Sequence, residues 1–206
     1  MLDVLLKAAG FVLAIALAYT LKRVGFFGPK DYQIVSKVVL NVTLPAAVIM
    51  SFASFTMDNR LLFVVLLGLA CNLIAILAGR LLSGRRKGAE RAFYMINTSG
   101  YNIGCFTLPY VQSFLGAFGV VVTCMFDVGN AVMCTGGTYA LVSATTGAGE
   151  DKTTVKGTVK KLLSSVPFDI YMLMLILAVA GVRIPQALVT VATPIGSANG
   201  FLAMFM

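Results

Sequence analysis

Hydrophobic residues along this chain fall into seven long stretches, separated by short polar or glycine- and proline-rich segments. Most stretches are about 20 residues long, the length that an α-helix needs to cross the hydrocarbon core of a bilayer. They lack the strict alternation of a half-buried β-strand. We therefore predict an all-α polytopic membrane protein. The predicted spans cover residues 4–21, 32–55, 61–79, 92–115, 120–144, 166–182 and 185–206.

The fourth stretch is interrupted by a polar, glycine-rich run that ends in proline, residues 97–109. Inside a bilayer, the backbone N–H and C=O groups that Gly and Pro free from a helix need a partner from protein, water or a ligand. Paired broken helices of this kind mark the binding sites of many secondary transporters. We predict helix breaks at Pro109 in this span, at Pro45 in the second and at Pro194 in the seventh.

Basic residues predict the orientation of the spans. Most of the 16 Lys and Arg residues lie in the loops after the first, third and fifth spans. The opposite face holds Lys7, Arg60 and Arg183. Because short cytoplasmic loops carry an excess of cations, we predict a multi-pass protein of the plasma or bacterial inner membrane, with basic loops in the cytoplasm and the N-terminus outside. This placement of the cations also argues against nucleic-acid binding, despite a net charge of +8.

Composition limits the kinds of catalysis and metal binding that the chain can support. The chain is 59% hydrophobic and 12% charged, against about 25% charged for a typical soluble domain. It contains no histidine, the commonest general acid or base and metal ligand. Its four cysteines occur singly within apolar stretches, which does not fit a disulfide framework or a zinc site. We predict a protein that is not an enzyme and has no metal or cofactor.

The chain also carries a sign of internal duplication. Residues 25–29 (GFFGP) after the first span resemble residues 181–185 (GVRIP) after the sixth, and each leads into a span broken by a second proline. A repeat that begins after an odd number of spans is inserted upside down, so we predict an inverted repeat. The alternative is that Gly and Pro begin these membrane helices by chance. The predicted domains are a first five-helix repeat at 1–145, a cytoplasmic basic linker at 146–165, and the first two helices of a second, inverted repeat at 166–206.

Two motifs resemble the auxin efflux carrier family, which includes plant auxin carriers and bacterial permeases for malate and malonate. They are the NVTLP sequence at residues 41–45, and Asn102 followed by Gly104 and Pro109. The resemblance covers essentially the whole chain and corresponds to the first two-thirds of a family member. It implies a chain truncated before its last three helices.

That resemblance also implies an inverted five-helix repeat like that of sodium–proton antiporters and bile-acid symporters, with the second repeat incomplete here. In the family, the broken fourth and ninth helices cross near the membrane centre, and the substrate carboxylate binds beside the crossing. The plant carriers have Pro-Asn at this point, whereas this chain has Tyr101 followed by Asn102.

The polar run and the resemblance together predict a substrate site beside the fourth-span break. Asn102 offers a carboxylate two N–H donors, and glycines let backbone amides approach the same anion. Helix ends at the break add partial positive charge. The alternative is that these polar side chains only bind neighbouring helices. The predicted substrate-binding residues are Asn102, Asn97, Ser99, Gly100, Gly104, Asn41 and Thr43.

Asp127 is the only acid well inside a span, where a charge costs about 2.5–3.5 kcal/mol on insertion scales. Asn130 lies one helical turn further on. We predict that the pair serves ion coupling, either through a proton on Asp127 or through a sodium ion bound with Asn130. A purely structural carboxylate is the alternative.

The sequence thus predicts a secondary active transporter that carries a small organic anion, such as malate, malonate or an auxin-like acid, by alternating access. Its predicted partners are that anion and the lipid bilayer, and a homodimer is left open. A seven-helix receptor or sensor is the alternative function, although a receptor does not need a break within the fourth span.

Overall fold

The computed structural model describes residues 2–54, 59–147 and 155–206. These residues are mostly helical and include no β-strand, which confirms the predicted all-α class. The α-helices within these ranges are α1 (Leu2–Arg23), α2 (Tyr32–Val38), α3 (Leu44–Ala53), α4 (Phe63–Leu82), α5 (Gly88–Asn97), α6 (Leu108–Val132), α7 (Thr138–Thr146), α8 (Val155–Leu162), α9 (Val166–Val179), α10 (Gln186–Ser197) and α11 (Asn199–Met204).

Helical stretches long and apolar enough to cross a bilayer occur at five places in the described residues. The protein is therefore a multi-pass membrane protein. These stretches are Val4–Arg23, Tyr32–Ala53, Phe63–Leu82, Ile103–Thr146 and Gln186–Met204. A shorter apolar helix, Val166–Val179, occupies the sixth predicted span. The fourth and fifth predicted spans are joined through α6, whose backbone leaves helical geometry at Gly116 (φ 63°), within the connection that the sequence predicts.

Wide π-helical turns precede two of the predicted helix breaks. The segment Val39–Thr43 leads into Pro45, and the segment Ile103–Thr107 leads into Pro109. Proline has no N–H and its ring clashes with the carbonyl four residues back, so an ordinary α-helical turn is destabilised there. In the wide turn the N–H of Leu44 instead reaches the carbonyl of Val39. Pro194, by contrast, lies inside α10.

The residues group into two compact units. The first contains Met1–Met57, Asn102–Thr123 and Leu173–Met206. Within it α10 packs on α3, where Gly196 lies so close to Ala46 and Ala47 that an added Cβ would come within 2.7 Å of the Ala47 nitrogen. The helix α11 packs on α1, and Ala14, Val39, Ala203 and Met204 form a buried cluster there.

The second unit contains Asp58–Tyr101 and Cys124–Met172. Its helices approach closely at two glycines. A Cβ added at Gly68 would lie 2.2 Å from the carbonyl oxygen of Phe126, and one at Gly129 would lie 2.1 Å from that of Val65. Small residues at such contacts let membrane helices pack backbone to backbone. The predicted repeat and its boundaries at 145 and 166 remain a prediction.

Candidate functional site

The chain leaves helical geometry between α5 and the π-helical segment Ile103–Thr107. Gly100 has φ of +80°, a conformation that glycine adopts without steric cost. A Cβ added there would lie 3.3 Å from the Cys134 sulfur. The boundary between the two compact units falls just after this turn, between Tyr101 and Asn102. The fourth predicted span is therefore interrupted at residues 98–102, whereas Pro109, the predicted position of the break, lies in the first turn of α6.

Two buried asparagines hold the backbone of this break. The Gly100 N–H donates to Asn72 Oδ1 at 2.8 Å, and the Tyr101 N–H donates to Asn130 Oδ1 at 3.0 Å. Asn130 Nδ2 in turn donates to the Tyr101 carbonyl at 2.9 Å. The two side chains also bind each other, because Asn72 Nδ2 donates to Asn130 Oδ1 at 3.0 Å. Backbone groups freed by the break thus find partners inside the protein, as a low-dielectric membrane interior requires.

Asp127 joins this asparagine pair. Its Oδ1 accepts a hydrogen bond from Asn130 Nδ2 at 2.8 Å, and its carboxylate also interacts with the buried Tyr171. Asn130 donates to both Asp127 and Tyr101, while its oxygen accepts from Tyr101, Asn72 and the Cys134 thiol. An asparagine side chain has two N–H donors and one acceptor oxygen. The hydrogen-bonding capacity of Asn130 is therefore used within the protein.

Neighbouring hydroxyls complete the support of the break. Ser99 Oγ donates to Thr138 Oγ1 at 3.1 Å, and Thr98 Oγ1 donates to the Ala75 carbonyl at 2.9 Å. The Tyr101 hydroxyl donates to the Cys71 carbonyl at 3.3 Å, which fixes the ring against α4. Residues 98–101 are therefore bonded to three helices of their own unit, α4, α6 and α7.

Asn102 differs from these residues. Its side chain is exposed and forms no hydrogen bond with any described residue. Its carbonyl accepts from the Thr107 N–H at 3.3 Å and from Thr107 Oγ1 at 3.4 Å, so the residue begins the following helical segment. The first N–H groups of a helix lack partners within it and carry partial positive charge. Gly104, which is half-buried, lies in this first turn.

Three other predicted substrate residues form hydrogen bonds within the protein, two of them within their own helix. Asn41 Nδ2 donates to the Lys37 carbonyl and Asn97 Nδ2 to the Phe93 carbonyl, each at 2.8 Å within its own helix. Thr43 is buried and its Oγ1 donates to Asn199 Oδ1 at 2.9 Å.

The buried side chains around Asn199 leave polar atoms without a partner. Among the described residues, Asn199 Nδ2 and Gln112 Oε1 are buried and unpaired. Gln112 Nε2 donates to the Gly196 carbonyl near the end of α10. This second polar cluster belongs wholly to the first compact unit.

The structure thus separates the predicted site residues by unit. Asn102, Gly104, Asn41 and Thr43 belong to the first unit, together with the prolines at which helix breaks are predicted, Pro45, Pro109 and Pro194. The others belong to the second unit: Asn97, Ser99, Gly100, Asp127 and Asn130. Of these, Gly100 and Asn130 bond directly to Asn72, and Asp127 bonds to Asn130. Asn97 and Ser99 bond elsewhere, to Phe93 and to Thr138.

Sequence reasoning did not include Asn72, Thr138 or Tyr171 among the predicted site residues. An asparagine at mid-span was the signal available, since a polar side chain there needs a partner. The identity of that partner, the Gly100 N–H 28 positions away, is visible only in the folded chain.

Comparison with known proteins gives one informative match. Residues 4–165 match the sequence profile of the family described as membrane transport protein. Searches of curated proteins and of solved structures each gave no match. The family is one of transporters rather than enzymes, and nothing in the match favours a seven-helix receptor.

Proposed function

The chain belongs to the membrane transport protein family, which includes the auxin efflux carriers, and on that premise we propose that it is a secondary active transporter for a small organic anion. Malate, malonate and auxin-like acids are the substrates to test. The observation that carries the proposal is the broken helix, with an exposed asparagine at the start of its second half.

Asn102 is assigned the main contact to the substrate carboxylate. Its amide has no hydrogen-bond partner among the described residues, so it is available to a ligand without breaking an existing bond. The N–H groups and partial positive charge at the start of the next helical segment favour an anion at the same place. Gly104 lets the substrate approach that backbone closely.

The remaining predicted residues support the site, except Asn97, whose amide binds only its own helix. Ser99 and Gly100 shape the break, Thr43 and Asn41 belong to the second-span break, and Asn97 ends the first half-helix. Their side chains or backbone groups are already bonded within the protein.

Asp127 is assigned the role of binding the coupling ion, and we favour a proton over sodium as that ion. A sodium ion needs several free oxygen ligands, whereas the Asn130 oxygen already accepts from Tyr101 and Asn72. A change of protonation on Asp127 acts through its bond to Asn130 on the Tyr101 backbone, next to Asn102. Because Tyr101 and Asn102 are neighbours in the chain, this bond is the proposed link between ion coupling and substrate binding.

The transport cycle that we propose is alternating access, in which one group of helices moves against another around a fixed central site. The membrane is the plasma or bacterial inner membrane, with the basic loops in the cytoplasm and the N-terminus outside.

Uptake by the purified protein in proteoliposomes tests the binding assignment. We expect Asn102→Ala to raise the substrate concentration for half-maximal uptake about 10- to 100-fold, because a hydrogen bond to a charged group contributes about 1.5–3 kcal/mol. Radiolabelled malate, malonate and indole-acetate should be compared, each with and without an imposed proton gradient.

Asn97→Ala is the matched control, because it removes the same side chain from a nearby exposed position where the amide binds only its own helix. Its uptake should stay within about twofold of the wild type. An Asn102→Ala protein that inserts correctly and transports with unchanged affinity would contradict the assignment. Absence of uptake for all three acids by the wild-type protein would contradict the proposed substrate class.

A further inference from the structure

A cavity of about 250 Å³ lies within the first compact unit, at the end of α1 that carries its basic residues. Its walls come from the last turns of α1, the turn before α2, the start of α2 and the residues that follow α11. Phe27 and Phe205 meet edge to face at 5.9 Å on one side of it. No residue of the proposed transport site lines this cavity.

The face of α1 that lines the cavity changes from apolar to basic along its length. Ile15, Ala18, Tyr19 and Lys22 line it, and this spacing of three and four residues places them on one side of the helix. Ile15 is 46% exposed and Tyr19 62% exposed, so this wall is open to its surroundings. An apolar wall that ends in an aromatic ring and then a cation matches the order of acyl chain, interface and headgroup in a phospholipid.

Charge at the basic end favours an anion. Residues 22–31 contain three cations, Lys22, Arg23 and Lys30, against one acid, Asp31, a net charge of +2. Asp31 Oδ2 already accepts the Gly28 N–H at 2.8 Å. The Arg23 guanidinium lies 6.0 Å from the centre of the Tyr19 ring, beside the cavity wall. Lys22 forms no ion pair with any described residue and is free to meet a phosphate.

We propose that this cavity binds an anionic phospholipid, with the phosphate at Lys22 and an acyl chain along Ala18 and Ile15. A soluble anion would make no favourable contact with the apolar wall. A zwitterionic lipid would gain less binding free energy from the local positive charge. With the orientation proposed above, the site lies in the cytoplasmic leaflet, where anionic lipids concentrate. The site is independent of substrate transport and does not rest on the identity of the transported anion.

Lipid retention measured by native mass spectrometry tests the proposal on the purified protein in detergent. We expect phosphatidylglycerol to bind more tightly than phosphatidylcholine, and Lys22→Gln to weaken phosphatidylglycerol binding about fivefold, the contribution of one lysine at a membrane surface. Lys30→Gln removes the same charge from the turn before α2, and Lys30 does not line the cavity. This substitution should weaken binding less than twofold.

Ala18→Leu fills the apolar wall without changing charge and should weaken phosphatidylglycerol binding to a similar extent, provided that circular dichroism shows the folded helix content. Glycerol 3-phosphate, the soluble headgroup alone, should not displace the lipid at millimolar concentration. Equal effects of Lys22→Gln and Lys30→Gln would mean diffuse attraction to basic loops and would overturn the site. Displacement by glycerol 3-phosphate, or equal binding of both lipids, would overturn the lipid assignment.

Discussion

At the residue scale, the broken helix depends on carboxamide side chains that replace lost backbone partners. Asn72 is fully buried in α4 and Asn130 is 2% exposed in α6. A hydrogen bond within a protein contributes about 0.5–1.5 kcal/mol, and each asparagine bonds at least one backbone group at Gly100 or Tyr101. These two side chains explain how a polar, glycine-containing turn persists at membrane depth.

Asp127→Asn tests the coupling proposal at this scale. The substitution keeps the shape and an acceptor oxygen for Asn130 but removes the group that can gain and lose a proton. We expect substrate exchange to persist while stimulation of uptake by an inward proton gradient disappears. Uptake should be measured in proteoliposomes at fixed internal pH, with external pH varied and sodium present or absent.

Asp169→Asn provides the control, because Asp169 is an exposed acid in the first turn of α9. This variant should keep the wild-type response to the proton gradient. If Asp127→Asn kept that response as well, Asp127 would be a structural carboxylate. A wild-type dependence on sodium instead of pH would contradict the preference for a proton.

At the element scale, the chain adopts the same local structure before Pro45 and before Pro109. In each case a five-residue π-helical segment ends directly before the Leu-Pro pair, at Leu44 and at Leu108. The sequence predicted a kink or break at these prolines. The structure shows that the chain widens its helical turn before the proline, while the full loss of helix in the fourth span occurs earlier, around Gly100.

Close helix packing provides a second test at the element scale. A Cβ at Gly68 would lie 2.2 Å from the Phe126 carbonyl oxygen, so Gly68→Ala must push two helix backbones apart. Overpacking of this kind costs about 1–3 kcal/mol, which should lower the midpoint of thermal unfolding by about 2–10 °C. Circular dichroism of the detergent-solubilised protein, recorded during heating, measures this midpoint.

Gly10→Ala is the control, since Gly10 also lies within a helix and has nothing within 4 Å of an added Cβ. It should leave the unfolding midpoint unchanged or raise it slightly, because alanine favours helix over glycine. Equal midpoints for the wild type and Gly68→Ala would contradict this close approach of the two helix backbones.

At the scale of the whole molecule, the orientation in the membrane can be tested through exposed loop residues. Lys87 precedes α5 and Arg183 lies between α9 and α10, and both are exposed. In a cysteine-free background, we expect Arg183→Cys to react with a membrane-impermeant maleimide on intact cells. Lys87→Cys should react only after permeabilisation, because the positive-inside pattern places it in the cytoplasm. The reverse labelling would contradict the proposed topology.

The sequence by itself determined the class of the protein. Runs of apolar residues about 20 long have no stable form in a bilayer other than helices or closed barrels, and their length selected helices. Proline and glycine act on the chain locally, so the break in the fourth span and the turn near Gly116 were also readable in advance. The two family motifs pointed to the membrane transport family that the match over residues 4–165 shows.

Only the tertiary structure decided what the polar side chains do. Asn130 and Asn102 are the same residue type within apolar surroundings, and sequence reasoning gave both a part in binding. In the fold, the Asn130 side chain hydrogen-bonds to Tyr101, Asp127 and Asn72. The Asn102 amide forms no hydrogen bond with any described residue. Hydrogen bonds join groups that are distant in sequence, so the distinction between a structural and an available asparagine arises only when the helices pack.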